Sequence, residues 1–186
     1  YNAVIHAHSK SPQQAQSWFR RIELDNFAPN VASYNCMIKS LRNYPDAAVS
    51  CFEEMTGKKL EPSAVTYHDI IQSFAYQHRH EEAGRWLDRL RARAAAARKN
   101  SLVDHENGGS IGDLQPHVWM FNVVMYACNE NSAQVLVPFW YAKMKRWGVR
   151  PNIVSVNTVI HSYSENADAN SLQSALALEQ DIKHFR

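Results

Sequence analysis

The chain has 186 residues, 45% of them apolar and 20% charged, the balance of a folded domain with a sizeable core and not of a disordered segment. Twenty Lys and Arg against 18 Asp and Glu leave a net charge of only +2, so no strong basic patch advertises nucleic acid. No apolar run approaches the ~20 residues needed to span a bilayer. Cys36, Cys51 and Cys128 show no CxxC spacing and read as small buried hydrophobes in a reducing compartment.

The chain opens on Tyr1-Asn2. The stripe Ala15, Trp18, Phe19 and Ile22 then keeps the i, i+3, i+4, i+7 spacing of an amphipathic helix, and Ala28-Pro29-Asn30 closes the stretch. From Val31 the signals are clearest. Tyr34, Ile38 and Leu41 form one helical stripe, and Ala48, Cys51, Phe52 and Met55 form a second. Between them Asn43-Tyr44-Pro45-Asp46 is a turn, with Pro45 placed for a first helical turn. Gly57 and Pro62 are stop signals. One such helix pair has too little core to stand alone and has to stack on neighbours.

The neighbours are present. Tyr1-Asn2, Tyr34-Asn35, Tyr67-His68, Phe121-Asn122 and Val156-Asn157 occupy one register, 33, 33, 54 and 35 residues apart. Pro29-Asn30, Pro62-Ser63, Pro116-His117 and Pro151-Asn152 end successive units. Each is followed by a short lead-in to the next helix: Val31-Ala32-Ser33, Ala64-Val65-Thr66, Val118-Trp119-Met120 and Ile153-Val154-Ser155. Second-helix stripes recur as Ala83, Trp86, Leu87, Leu90, then Val137, Trp140, Tyr141, Met144, and more loosely as Ala175, Leu176, Leu178, Ile182. Two helices per period of 33 to 35 residues define an all-α solenoid of about five units: 1–30, 31–63, 64–117, 118–152 and 153–186. The long third interval holds an insertion near 91–113. Its Ala- and Arg-rich start, Arg91 to Lys99, prolongs a helix, and Asn100 to Gly112 reads as a Gly-rich surface loop. Loop length costs little stability, so a tolerated insertion is the plain reading and partner docking the alternative. Because Tyr1 falls inside a unit, the chain is expected to be a segment, with any targeting sequence outside it.

The position after each aromatic, followed by the residue four further on, gives Asn2/His6, Asn35/Lys39, His68/Gln72, Asn122/Tyr126 and Asn157/His161. Residues at i and i+4 share a helix face, so every first helix carries a stripe of hydrogen-bonding groups beside its apolar one. Asn offers a donor and an acceptor suited to base edges. It is a mediocre helix former, so four in one register exceed what a polar face alone requires. The nine His residues, among them His78, His80 and His105, make no metal-ligand spacing with Cys. No G-x-x-x-x-G-K, G-x-S-x-G or H-E-x-x-H occurs, so neither metal, cofactor nor catalysis is expected. Glu53-Glu54 and Glu81-Glu82 read as solubilising charge on second helices.

Ala64-Val65-Thr66-Tyr67, Tyr34-Asn35-Cys36-Met37-Ile38, Phe52-Glu53-Glu54-Met55, Glu81-Glu82-Ala83 and Met144 through Gly148 to Pro151-Asn152 resemble the repeat of the pentatricopeptide repeat family. The W-x-x-L-G-x-x-Y pattern of tetratricopeptide repeats is absent from the first helices. The resemblance covers nearly the whole chain apart from the insertion. It implies a right-handed α-solenoid whose first helices line a groove for single-stranded RNA, about one base per repeat.

The resemblance also implies the contacts. Bases are chosen by the residue after the aromatic and the residue after the closing proline: Asn2 with Asn30, Asn35 with Ser63, His68 with His117, and Asn122 with Asn152. Asn157 has no partner within the chain. Asn with Asn resembles a pyrimidine reader, and Asn with Ser favours cytosine. His with His matches no common pair, so the third unit is expected to read nothing. Ala32, Val65, Trp119 and Val154 would sandwich bases, and Lys39 would meet a phosphate. The family acts on mitochondrial and plastid transcripts, in processing, stability, editing or translation. Stacking contributes about 1–3 kcal/mol per base. Four or five repeats with few cations therefore hold RNA weakly, unless more repeats flank them. The alternative is a scaffold subunit of a large assembly such as an organellar ribosome, gripping protein or ribosomal RNA.

Overall fold

The computed structural model describes residues 1–7, 11–101, 114–165 and Leu178. Nine helices occur among them: α1 (Asn2–Ala7), α2 (Pro12–Leu24), α3 (Val31–Ser40), α4 (Pro45–Gly57), α5 (Ala64–Tyr76), α6 (His80–Ser101), α7 (Val118–Glu130), α8 (Val137–Arg146) and α9 (Ile153–Glu165). A 3-10 turn, Gln134–Leu136, leads into α8. No strand occurs among the described residues. Of the fifth unit's second stripe, Ala175, Leu176 and Ile182 lie outside the described residues, while Leu178 is buried. Residues 102–113 of the insertion also lie outside them. Its first part continues α6 to Ser101, past the expected end at Lys99.

The odd-numbered helices form an unbroken row in which α1 packs on α3, α3 on α5, α5 on α7 and α7 on α9. Each even-numbered helix packs against the odd helices before and after it in sequence. The odd row is thus the closely spaced inner layer and the even helices the splayed outer one. Aromatic rings lock the junctions. Phe19 of α2 meets Tyr34 of α3 edge-on at 5.0 Å, and Phe52 of α4 meets Tyr67 of α5 at 5.4 Å. Phe121 and Val156, in the same register, are fully buried. Burying a side chain of this size contributes about 1.5–3 kcal/mol, which is why the register position is aromatic or apolar throughout. Tyr34 also donates to Glu54 Oε1 at 2.8 Å, and Lys58 bridges Glu54 to Glu23 of the preceding unit.

Three expectations change. The lead-ins are not connectors: Val31-Ala32-Ser33, Ala64-Val65-Thr66, Val118-Trp119-Met120 and Ile153-Val154-Ser155 are the first turns of α3, α5, α7 and α9. Asn30 and Ser63 cap α3 and α5 in reciprocal capping boxes with Ser33 and Thr66, which starts those helices directly after the proline segment. Gly57 does not make the reversal after α4. Lys59, with φ 60°, does, and Asn26, His78 and Ser132 do the same elsewhere. Leu60 N–H then reaches back to the Met55 carbonyl at 3.1 Å, a Schellman closure that satisfies an orphan helix carbonyl. Finally, Trp18 is 38% exposed beside Tyr1 instead of joining its stripe in the core.

Candidate nucleic-acid interface

The residue after each closing proline is the N-cap of the next first helix, and the residue after the aromatic lies about one turn into α3, α5 and α7, while Asn2 opens α1. Stacking of consecutive repeats brings the two together across about 28–30 residues of sequence. Asn2 Nδ2 donates to Asn30 Oδ1 at 3.4 Å, Asn35 Nδ2 to Ser63 Oγ at 3.4 Å, and Asn122 Nδ2 to Asn152 Oδ1 at 3.1 Å. Three of the four expected pairs are therefore in direct contact.

Each pair rests on a hydroxyl from the third residue of the next helix. Ser33 Oγ donates to Asn2 Oδ1 at 2.8 Å, Thr66 Oγ1 to Asn35 Oδ1 at 2.6 Å, and Ser155 Oγ to Asn122 Oδ1 at 2.7 Å. The same oxygens accept the backbone N–H of Asn30, Ser63 and Asn152 at 3.3, 3.0 and 3.1 Å. Spacing alone did not single out these hydroxyls. Ser or Thr three residues after a cap is explained by capping, and only the preceding repeat supplies the second partner.

The third unit is built differently. His117 caps α7 without a side-chain hydrogen bond, and the third residue of that helix is the buried Met120. His68 turns to its neighbour Asp69, Nδ1 to Oδ1 at 3.1 Å, and its ring stands edge-on to Trp119 at 3.8 Å. His117 lies parallel to the same indole, 6° off plane with centroids 6.0 Å apart. His68 and His117 thus share Trp119 instead of bonding as an Asn pair does. Asp69 is 6% exposed and its second oxygen has no partner among the described residues.

Of the expected sandwiching residues, Ala32, Val65 and Val154 are exposed, while Trp119 is half-buried against the two histidines. Lys39, Tyr126, Asn157 and His161 are exposed, and Gln72 is half-buried. Beyond these, the Arg42 guanidinium lies 4.4 Å over the exposed Tyr76 ring, a cation–aromatic pair at the far end of α3 and α5. Among the described residues no group of three or more His, Cys, Asp or Glu is placed to hold a metal ion. Among the described residues no helix is long and apolar enough to cross a membrane.

A stack of two-helix units with a row of hydrogen-bonding pairs along its inner helices defines an α-solenoid of the helical-repeat class. Residues 29–76 match the model of the PPR repeat family, and residues 110–166 match that of the pentatricopeptide repeat domain. The chain belongs to the pentatricopeptide repeat family. It is 24% identical over 153 residues to a pentatricopeptide repeat-containing protein of Arabidopsis thaliana, covering 81% of this chain and 30% of that protein. It is 36% identical over 69 residues to small ribosomal subunit protein mS39 of Bos taurus, covering 35% of this chain and 10% of that protein. The fold matches maize PPR10 with a TM-score of 0.71 at 22% identity, over 97% of this chain and 24% of that one. PPR10 in complex with an 18-nt psaJ RNA element matches at 0.69 and 16% identity, over 98% of this chain and 24% of that one. The PPR domain of Arabidopsis thaliana protein-only RNase P 1, in complex with tRNA, matches at 0.71 and 12% identity, over 96% and 86%. The chain thus spans under a third of these two relatives and about a quarter of PPR10.

Proposed function

We propose that the chain binds single-stranded RNA sequence-selectively, one base per repeat, through Asn2/Asn30, Asn35/Ser63 and Asn122/Asn152. The observation that carries this reading is the contact within each pair, which sets two hydrogen-bonding groups side by side at the inner layer in three repeats. Asn offers both a donor and an acceptor to base edges, and because Asn with Asn resembles the family's pyrimidine reader the preferred strand is pyrimidine-rich. The exposed Ala32, Val65 and Val154 are suited to lie against base faces, and Lys39 to meet a phosphate. His68 and His117, held by Asp69 and Trp119, form a step that reads no base. The family resemblance supports a role in mitochondrial or plastid RNA metabolism. Labelled C/U-rich and A/G-rich oligoribonucleotides, titrated with the purified chain at fixed salt, test the proposal. Tighter binding to the pyrimidine strands is expected, and equal affinity for all would refute base reading.

The identity to mS39 favours a second reading, a scaffold subunit that grips protein or ribosomal RNA within a large assembly. Retention in an intact ribonucleoprotein at high salt, together with no discrimination among oligonucleotides, would select it.

A further inference from the structure

We infer that Ser33, Thr66 and Ser155 are specificity-determining positioning residues: their buried hydroxyls set which end of the Asn2, Asn35 and Asn122 amides faces the RNA. This rests on the base-reading proposal above and adds to it a residue outside each reading pair.

The three hydroxyls cannot touch a base. Ser33 is 3% exposed, and Thr66 and Ser155 are fully buried. Each acts only through the asparagine above it. A hydroxyl has one hydrogen to give. Its oxygen already accepts the N–H of the capping residue. Its hydrogen therefore needs an acceptor, and the closest is the asparagine Oδ1 in all three repeats, at 2.6 to 2.8 Å. A flipped amide would set Nδ2 against that oxygen and leave the hydroxyl hydrogen without its best acceptor. The amide is thus held with its oxygen down. Nδ2 gives one hydrogen to the cap side chain, and among the described residues nothing takes the other. That second N–H is what the amide offers a base.

The third unit supports the assignment. Its third helical residue is Met120, with no hydroxyl, and its reading position holds His68, fixed from its own helix by Asp69. Where the buried hydroxyl is missing, the asparagine is missing as well.

A fixed donor discriminates because bases differ in where they carry acceptors. An amide free to turn over meets either kind of edge and discriminates less. Removing the hydroxyl should therefore reduce discrimination more than affinity.

The test uses the full chain and oligoribonucleotides that differ only at the nucleotide facing the second repeat, C against A. That nucleotide is located by single-base scanning, and a matching strand with an abasic site at it serves as reference. Thr66→Ser keeps the hydroxyl and should keep the discrimination ratio of the parent. Thr66→Val should lower it about two- to tenfold, the range of one hydrogen bond, with binding of the abasic strand unchanged. Asn35→Ala should abolish it. Thr66→Val with the parent's ratio, while Asn35→Ala loses it, would overturn the positioning role and leave base reading intact. Asn35→Ala with the parent's ratio would overturn base reading, and the inference with it. An equal fall for Thr66→Ser and Thr66→Val would also overturn it, since a hydroxyl could not then be the cause. If Thr66→Val does not fold, Ser33→Ala and Ser155→Ala, each scored at its own nucleotide, decide the matter by the same criterion.

Discussion

Gly84 of α6 lies directly under the indole of Trp140 of α8: a Cβ at that glycine would stand 2.5 Å from Trp140 Cζ2 and 2.9 Å from Cη2. The indole cannot easily move aside. It is buried, and the Lys143 ammonium sits 4.3 Å from its ring centre while pairing with Asp88. A glycine inside a helix costs about 1 kcal/mol relative to alanine, and here the close approach of the third and fourth repeats requires it. Gly84→Ala should lower stability by up to about 2 kcal/mol, overpacking of about 1–3 kcal/mol less the gain of about 1 kcal/mol in helix propensity. Urea denaturation measures it, and a stabilised variant would show that the indole yields. Combined with Trp140→Leu, the loss should be smaller than the sum of the two.

Ser63→Asp should change base preference without changing stability. Ser63 caps α5 through Thr66, and aspartate caps a helix equally well. The hydroxyl can give a hydrogen to N3 of cytosine, whereas a carboxylate only accepts and suits the N3–H of uracil. Preference at the nucleotide facing the second repeat should move from C toward U in competition binding. An unchanged preference would mean that Ser63 does not meet the base.

Helix reversals made by ordinary residues leave room for improvement. Lys59 and His78 sit at φ 60° and 56°, a region that costs an L-residue about 1–2 kcal/mol. Lys59→Gly should stabilise by about 0.5–1 kcal/mol after the greater unfolded-state freedom of glycine is subtracted. At Gly148, φ 76°, the reversal already has its glycine, and Gly148→Ala should destabilise by about 1 kcal/mol. Thermal melts of the two variants should move in opposite directions.

The three cysteines should separate by reactivity. Burial pushes the Cys51 thiol up to about 12 and the Cys128 thiol to about 11. Burial also raises Cys36, which is half-exposed at the inner layer. The thiolate is the nucleophile, so at pH 8 iodoacetamide should modify Cys36 first. Cys51 and Cys128 should react only when the chain opens. Peptide mass mapping reads the order, and rapid native modification of Cys51 would contradict the packing of α4. The sign for stability follows from the raised values. The folded state holds these protons above the ordinary thiol range, so this contribution is intact below about pH 9 and is lost as pH rises toward 11–12.

Much of this architecture is legible in one dimension. Tyr34, Tyr67 and Phe121 recur in register because each is a ring that must leave water at a repeat junction, and burial of that kind writes itself into spacing. The candidate reading pairs come from the family resemblance; stacking of like units explains why that register carries over, since residue n of one repeat meets a constant place in the next. The remainder needed the tertiary structure. Ser33, Thr66 and Ser155 look like caps until the preceding asparagine is seen above them. Lys59 and His78 carry no glycine signal for the reversals they make. Gly84 reads as a weak point in a helix until Trp140, 56 residues on, is found covering it. Periodicity records how far a side chain is withdrawn from water. It does not record which group from another repeat receives its hydrogen bond or fills the space beside it, and those two quantities set the orientation of the candidate reading amides.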